Sequence, residues 1–183
     1  DLGQLDLSIE AYRKALALKS DYAEAHNNMG VTLQEQGKLK EARKAFNKAL
    51  AIKPDYADAH YNMGNAFKDQ GKLEEAREAY KKVLAIKPDY AEAHNNIAIT
   101  FKDQGKLEEA IKAYNTALAI KPDYAEAHNN MGNAFKEQSK LEEAIEAYHK
   151  ALAIKPDYAD AYYNMGNALN NQGKLEEAIE AYH

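Results

Sequence analysis

An asparagine recurs every 34 residues in this chain, and its side-chain amide is well suited to holding another polypeptide backbone. The five positions are Asn28, Asn62, Asn96, Asn130 and Asn164. Each amide offers two N–H donors and one carbonyl acceptor, so it can pair with both the N–H and the C=O of an extended peptide. Asparagine is a mediocre residue inside a helix. We therefore predict that this set, the amide row, holds an extended chain without reading its side chains.

Two other interpretations of the amide row remain open. The amides can be solvated or bonded to a neighbouring helix, and duplication or consensus engineering of a single unit would also copy an asparagine five times. Changing Asn96 and Asn130 to alanine should weaken peptide binding and leave the melting temperature nearly unchanged if the first interpretation holds.

The helical stripe that carries the amide row also carries further polar residues. Spacings of four, three and four residues place more amides on it, at Asn65, Asn133 and Asn167. Acids follow near the far end of the same stripe, at Asp69, Asp103 and Glu137. Acids also precede the amide row by one turn, and two acidic rows predict a preference for basic or neutral ligands. The alternative is that Lys72, Lys106 and Lys140, three residues later, neutralise the second row.

Two tyrosines stand beside this stripe where other units have asparagine. Tyr61 and Tyr163 occupy the positions of Asn27, Asn95 and Asn129. Tyrosine is frequent among residues that dominate binding energy, so these two are candidates for sequence preference. Plain packing is the alternative.

Metal and acid–base chemistry fit the remaining residues poorly. His26, His60, His94 and His128 recur on successive helices, whose axes lie ~8–10 Å apart, whereas two ligands of one zinc ion each lie about 2 Å from it. We interpret them as packing residues. Paired glutamates such as Glu74 and Glu75 begin helices, where the helix dipole favours negative charge.

The elements that position these residues are pairs of helices. Apolar or small residues fall at spacings of three and four in each half of a 34-residue unit. Gly71 ends the first helix of one unit and Pro88 ends the second. Asp89 with Glu92 has the form of a capping box, which places the next helix start at Asp89. Ser139 replaces the turn glycine, at a cost of about 1 kcal/mol if its φ is positive.

Composition excludes several classes of function. The net charge of −5 disfavours nucleic-acid binding, which needs clustered cations. No cysteine is present to form a disulfide, a thiolate metal site or a nucleophile. No apolar run approaches the ~20 residues of a membrane helix. The chain lacks an initiator Met and starts part-way through a unit, so we interpret it as a fragment and expect a cytoplasmic location.

The unit resembles the tetratricopeptide repeat over the entire chain. The residues that carry the resemblance in one unit are Gly64, Phe67, Ala76, Tyr80 and Pro88. It implies an all-α, right-handed superhelical solenoid of antiparallel helix pairs, with first helices lining a concave groove and a protein-interaction role. The amide row is similar to the asparagine ladder of the O-linked N-acetylglucosamine transferases. Lys and Arg are missing from the stripe, which argues against the family's carboxylate clamp.

We therefore predict a single array. Its boundaries are a partial repeat over 1–22, full repeats over 23–56, 57–90, 91–124 and 125–158, and a partial repeat over 159–183. The predicted function is a non-catalytic scaffold that binds a protein or an extended peptide, without cofactor, metal, nucleic acid or membrane. The alternatives are the substrate-binding arm of a larger glycosyltransferase and a scaffold that self-associates, end to end or symmetrically.

Overall fold

The computed structural model of this chain describes residues 2–176 and 178. Within them every regular element is an α-helix. The helices are α1 (Leu2–Leu18), α2 (Ala23–Glu35), α3 (Leu39–Ile52), α4 (Ala57–Lys68), α5 (Leu73–Ile86), α6 (Ala91–Asp103), α7 (Leu107–Ile120), α8 (Ala125–Glu137), α9 (Leu141–Ile154) and α10 (Ala159–Asn171). The chain divides into two compact units, residues 1–88 with α1–α5 and residues 89–183 with α6–α10.

The first helices α2, α4, α6 and α8 each pack against the second helix of their own pair, as α4 does against α5. On α5, Ala76, Tyr80 and Val83 are wholly buried, at the spacing of four and three that defines one helix face. A Cβ atom on Gly64 of α4 would lie 2.4 Å from Cε1 of Tyr80, so the Tyr80 ring lies in the space that a larger residue at position 64 would need. The predicted all-α repeat of helix pairs is confirmed.

A residue with positive φ ends each first helix. Gly71 has a φ of 70°, and the next N–H, that of Lys72, reaches back 2.9 Å to the carbonyl of Phe67. This bond satisfies a carbonyl that the helix end would otherwise leave open. Ser139 adopts the same conformation, with a φ of 61°. The φ of Ser139 is therefore positive, which was the condition for the expected cost of about 1 kcal/mol.

The predicted helix start at Asp89 is wrong by one to two residues. The N-cap of α6 is Tyr90, its helix begins at Ala91, and no side-chain cap bond forms. The preceding residues form turns: in the equivalent segment of the first unit, the Tyr56 N–H reaches the Lys53 carbonyl at 3.2 Å across Pro54 and Asp55. Proline at the second position of such a turn is favoured. The aspartate thus belongs to the turn and lies outside the helix.

Apolar clusters extend across more than one helix pair inside each unit. In the first unit Phe46, Ala42 and Leu33 cluster with Met63 and Ala79 of the following pair. In the second unit the residues of one cluster are Ala98, Ala110, Tyr114, Met131, Ala134 and Ala147. Each pair therefore buries its apolar face against its neighbour, as repeat architectures require. A single array over the whole chain, and its right hand, stay predictions.

Candidate functional site

Three members of the amide row bond to an asparagine one helix pair earlier. Asn62 on α4 donates to Oδ1 of Asn27 on α2 at 3.0 Å. In the second unit Asn130 donates to Asn95 at 3.3 Å, and Asn164 donates to Asn129 at 3.1 Å. The amides thus join successive first helices within each unit. The alternative interpretation, that these amides bond to a neighbouring helix, therefore holds for one of the two N–H groups of each amide.

The acceptors of these bonds are buried and the donors are not. Asn27, Asn95 and Asn129 are each 4% exposed, and we call them the supporting asparagines. Asn62, Asn130 and Asn164 are half-buried. Each bond uses one N–H of the outer amide, which has a second N–H and a carbonyl oxygen.

The two remaining members of the predicted row, Asn28 and Asn96, differ from these three. Asn28 is exposed and accepts a bond of 3.3 Å from the side chain of Asn27. Asn96 is buried, with 6% of its surface exposed. The row is therefore not uniform, and its half-buried members are the ones an incoming chain can reach while they remain fixed.

Two more of the predicted amides contact the core. Tyr80 donates its hydroxyl proton to Oδ1 of Asn65 at 2.7 Å, and Tyr148 donates to Asn133 at 2.8 Å. Both tyrosines are wholly buried. Asn65 and Asn133 therefore satisfy a buried hydroxyl from the half-buried face of the first helix. Asn167, the third amide of this set, is half-buried.

The α6–α7 pair lacks this arrangement. Tyr114 is as deeply buried as its counterparts, but the residue at the position of Asn65 is Ile99. The Tyr114 hydroxyl has no hydrogen-bond partner among the described residues. Burial, and then the negative charges of Asp103 and Glu137, raise its pKa well above the ordinary value. An unsatisfied buried hydroxyl costs free energy.

The two tyrosines beside the stripe occupy different environments. The Tyr61 ring is half-buried, and its centroid lies 5.8 Å from that of Tyr80 with the rings tilted by 53°. Tyr163 is 62% exposed. Tyr61 therefore packs on the core ring, while Tyr163 presents most of its surface to solvent.

The acids at the far end of the stripe have partners that the sequence did not suggest. Lys102 lies 3.1 Å from Asp103 and 3.7 Å from Glu137, so this one half-buried cation joins two successive first helices. In the first unit, the Gln34 side chain donates to Asp69 at 2.6 Å. The negative charge of this row is therefore partly compensated in the second unit by Lys102, in place of the expected Lys106 and Lys140.

Two of the acids one turn before the amide row pair with lysines that follow the second helices. Lys121 lies 3.0 Å from Glu92, and Lys87 lies 3.6 Å from Asp58. Burial is the largest single influence on Glu92 and disfavours its ionisation, but the hydrogen bond from Lys121, a backbone hydrogen bond and the positive charge of Lys121 together hold the pKa of the carboxyl below its usual value. The predicted capping box of Asp89 and Glu92 is wrong, because Tyr90 is the N-cap of α6 and no side-chain cap bond forms there.

The recurring histidines fix the loop that leads into their helix. The Nε2 atom of His60 lies 2.9 Å from the Pro54 carbonyl, and that of His128 lies 3.0 Å from the Pro122 carbonyl. A carbonyl only accepts, so Nε2 carries the proton. Nδ1 of His128 is then a buried acceptor without a hydrogen-bond partner among the described residues. Burial lowers the pKa of His128, with Lys150 acting in the same direction and the Pro122 bond opposing.

Neither a metal site nor a membrane-spanning helix is found in the described part of the chain. No group of three or more histidine or acidic side chains there could hold a metal ion. None of its helices combines the length and apolar character of a membrane span.

Comparison with known families decides which one the repeat belongs to. The model of the TPR repeat matches residues 1–37, 33–71, 64–105, 100–139 and 132–173. The chain belongs to the tetratricopeptide-repeat family. No curated protein matches this TPR chain.

Solved structures of TPR proteins resemble this one along most of its length. The crystal structure of MamA is 27% identical, with a TM-score of 0.74 over 84% of this chain and 90% of that chain. YrrB, described as a TPR protein with an unusual peptide-binding site, is 22% identical, with a TM-score of 0.71 over 94% and 89%. PilF from Pseudomonas aeruginosa is 23% identical, with a TM-score of 0.78 over 87% and 74%.

Sequence reasoning missed the residues that support the candidate site. The supporting asparagines precede the amide row by one residue, and their role required knowing that successive first helices touch. The Asn–Tyr pairs had a signal: Asn65 and Asn133 each have a tyrosine 15 residues later, whereas Val31 has Phe46 at that spacing. Ile99 with Tyr114 breaks this pattern, and the Tyr114 hydroxyl is the one without a partner among the described residues.

Proposed function

We propose that this TPR chain is a non-catalytic scaffold that binds an extended segment of a protein through the amide row. The observation that carries the proposal is the fixation of Asn62, Asn130 and Asn164 by the supporting asparagines. One N–H of each amide is held by the protein, which leaves one donor and one acceptor for a ligand. A peptide backbone presents one acceptor and one donor per residue.

Fixation in advance makes such a contact more favourable. A side chain that must be ordered on binding costs about 0.5–1.5 kcal/mol, which is comparable with the net gain of ~0.5–1.5 kcal/mol from one hydrogen bond. An amide already held by a buried neighbour avoids most of this cost. Successive contacting helices lie ~8–10 Å apart, so one row member would meet about every third residue of an extended chain at ~3.3 Å per residue.

The acidic residues support a preference for neutral or basic segments. Asp69 is exposed, and the Gln34 side chain that donates to it is neutral. This contact therefore does not offset the negative charge of Asp69. Asp103 and Glu137 share Lys102, which reduces their net effect. A basic side chain on the ligand would find its strongest partner near Asp69 in the first unit. Tyr163, with most of its surface exposed, would add apolar contact in the second.

Comparison of two substitutions separates ligand binding from support of the fold. Asn130→Ala removes the amide that faces the ligand together with the bond to Asn95. Asn95→Ala removes the same bond but keeps Asn130. We expect both to lower stability by a similar ~1 kcal/mol. Asn130→Ala should weaken binding of uncharged and basic peptides by about threefold to tenfold, whereas Asn95→Ala, which loses only the fixation of the Asn130 amide, should weaken it by a smaller factor.

Peptide arrays of uncharged, basic and acidic extended sequences, followed by calorimetric titration of the strongest binders, supply the measurement. Equal affinity for the two variants would remove the amide row from the binding site. A consistent preference for acidic peptides on this face would overturn the proposed charge preference.

A further inference from the structure

A second groove lies in the first unit, between two second helices. It is formed by α1 and α3, with α2 beneath, and encloses about 750 Å³. Leu16, Met29, Leu33 and Ala45 supply apolar surface to it. None of the amide-row residues lines it. It is therefore a different surface from the one proposed to hold an extended peptide.

Cations dominate the edges of this groove. Arg13 lies on the α1 side, and Lys44 and Lys48 lie on the α3 side, all of them exposed. Glu41 is the one acid among the lining residues. A basic edge is unusual in a chain whose net charge is −5. Apolar floor and basic edges together select a ligand that is apolar on one side and acidic on its flanks.

The next groove along the same unit provides an internal comparison. It lies between α3 and α5 and has the same kind of floor, with Leu50, Met63 and Phe67. Its charged lining residues are Glu74, Glu75, Glu78 and Lys82. At the corresponding positions one helix pair later, Asn47 stands in place of Arg13 and Glu78 stands in place of Lys44. The two grooves thus differ in charge far more than in the character of their floors.

The floor of the basic groove also contains an acceptor without a donor. His26 lines the groove and is 7% exposed. Its Nε2 bonds to the Ser20 carbonyl at 3.1 Å, so Nε2 carries the proton and Nδ1 accepts. Nδ1 is buried and has no partner among the described residues. His128 in the second unit has the same buried Nδ1 without a partner among the described residues, so this feature belongs to the repeated histidine and is not specific to the groove.

The length of the groove fits a short helix. Its α3 side extends from Glu41 to Ile52, which corresponds to about 16 Å at 1.5 Å per residue, or three helical turns. An amphipathic helix laid in an apolar groove is a common mode of recognition, with apolar residues at spacings of three and four as anchors. We infer that the α1–α3 groove binds an acidic amphipathic helix of a partner protein.

The probe for this inference is a synthetic peptide of about 15 residues, near the length at which isolated helices become stable. It carries leucine along one face, glutamate on both flanks and one serine within the leucine face. A second peptide with lysine in place of glutamate is the charge control. We expect the full chain to bind the acidic peptide in fluorescence anisotropy, and more weakly as salt is raised.

The site is tested by replacing residues of the α1–α3 groove with the residues at the corresponding positions of the α3–α5 groove. Arg13→Asn with Lys44→Glu gives the first groove the corresponding residues of the second, and should weaken acidic-peptide binding at least about tenfold. Lys112→Glu on α7 makes the same charge change as Lys44→Glu outside the groove, so it should have little effect. Glu78→Lys should strengthen acidic-peptide binding at the second groove and raise the number of peptides bound. Circular dichroism checks that each variant keeps its helices.

The results that would overturn the inference are distinct. Weakening by Lys112→Glu as large as that by Arg13→Asn with Lys44→Glu would indicate unspecific attraction to the chain's lysines. Equal binding of the lysine peptide would remove the charge argument. Loss of acidic-peptide binding in Asn62→Ala, with no loss in the groove variant, would move the peptide to the amide row. Because the groove and amide-row variants are separate, either proposal can fail without the other.

Discussion

The hydroxyl of Tyr80 and the side-chain carbonyl of Asn65 lie 2.7 Å apart, in a bond between the wholly buried second helix and the half-buried face of the first. Tyr148 and Asn133 repeat it at 2.8 Å. The bond ties a residue proposed to meet a ligand to the core of its own helix pair. Tyr80 and Tyr148 thus have hydrogen-bonded hydroxyls, whereas the buried hydroxyl of Tyr114 has no partner among the described residues.

Removing these hydroxyls should have opposite effects on stability. Tyr148→Phe deletes a satisfied hydrogen bond and should lower the free energy of unfolding by about 1 kcal/mol. Tyr114→Phe deletes a hydroxyl without a partner among the described residues, and should leave stability unchanged or raise it by about 1 kcal/mol. Urea denaturation of the two variants gives the comparison. Similar losses from both would mean that Tyr114 is satisfied in solution.

Glycine at position 139 should stabilise the chain. Ser139 has a φ of 61°, in a region that glycine occupies without strain. Ser139→Gly should raise the free energy of unfolding by about 1 kcal/mol. Gly105→Ser is the matched control and should lower it by a similar amount, because a Cβ there meets nothing within 4 Å and backbone conformation alone decides. No gain in Ser139→Gly would show that the strain is offset elsewhere.

Stability should fall as pH drops below about 6.5, the ordinary pKa of histidine. Burial holds the pKa of His128 below that value in the folded chain, so the unfolded chain binds more protons in the window beneath 6.5. The contribution of His128 is therefore present above the unfolded pKa and is lost as pH falls through the folded one. NMR titration of its ring gives the folded pKa directly.

The matched variant for this pH effect is His128→Tyr, since Tyr162 occupies the corresponding position on α10. Its stability should depend less on pH between 5 and 7 than that of the parent chain. A His128 pKa above 6.5 would contradict the assignment of Nδ1 as a buried acceptor without a partner.

Lys102 should reduce the affinity of the second unit for basic ligands. It lies within 4 Å of both Asp103 and Glu137 and is half-buried. Lys102→Met frees both carboxylates, so binding of a basic peptide should strengthen by about threefold to tenfold. Lys106→Met removes the same charge from an exposed turn position and should have a smaller effect. Calorimetry that found equal changes would place the basic peptide away from these acids.

Periodicity was sufficient to predict the helix pairs, because the apolar spacing, Gly71 and Pro88 act locally. The helix starts were missed by one to two residues because Asp89 fits a capping box in sequence but belongs to a proline turn in space. Gly64 and Tyr80, two of the residues that carry the family resemblance, lie directly against each other in the structure.

The partners of the candidate site could not be obtained in the same way. Asn62 bonds to Asn27, 35 residues earlier, and Lys102 pairs with Glu137, 35 residues later. Both contacts depend on how one first helix is displaced along the next. A 34-residue repeat gives the period of the units but leaves that displacement undetermined.

The measurement that most directly tests the amide row is the NMR response of its side-chain NH₂ groups to an extended basic peptide. The account predicts that the signals of Asn62, Asn130 and Asn164 shift on titration, while the buried NH₂ of Asn95 and Asn129 shift less. Peptide binding that leaves the three outer amides unmoved, and perturbs the second helices instead, would contradict it.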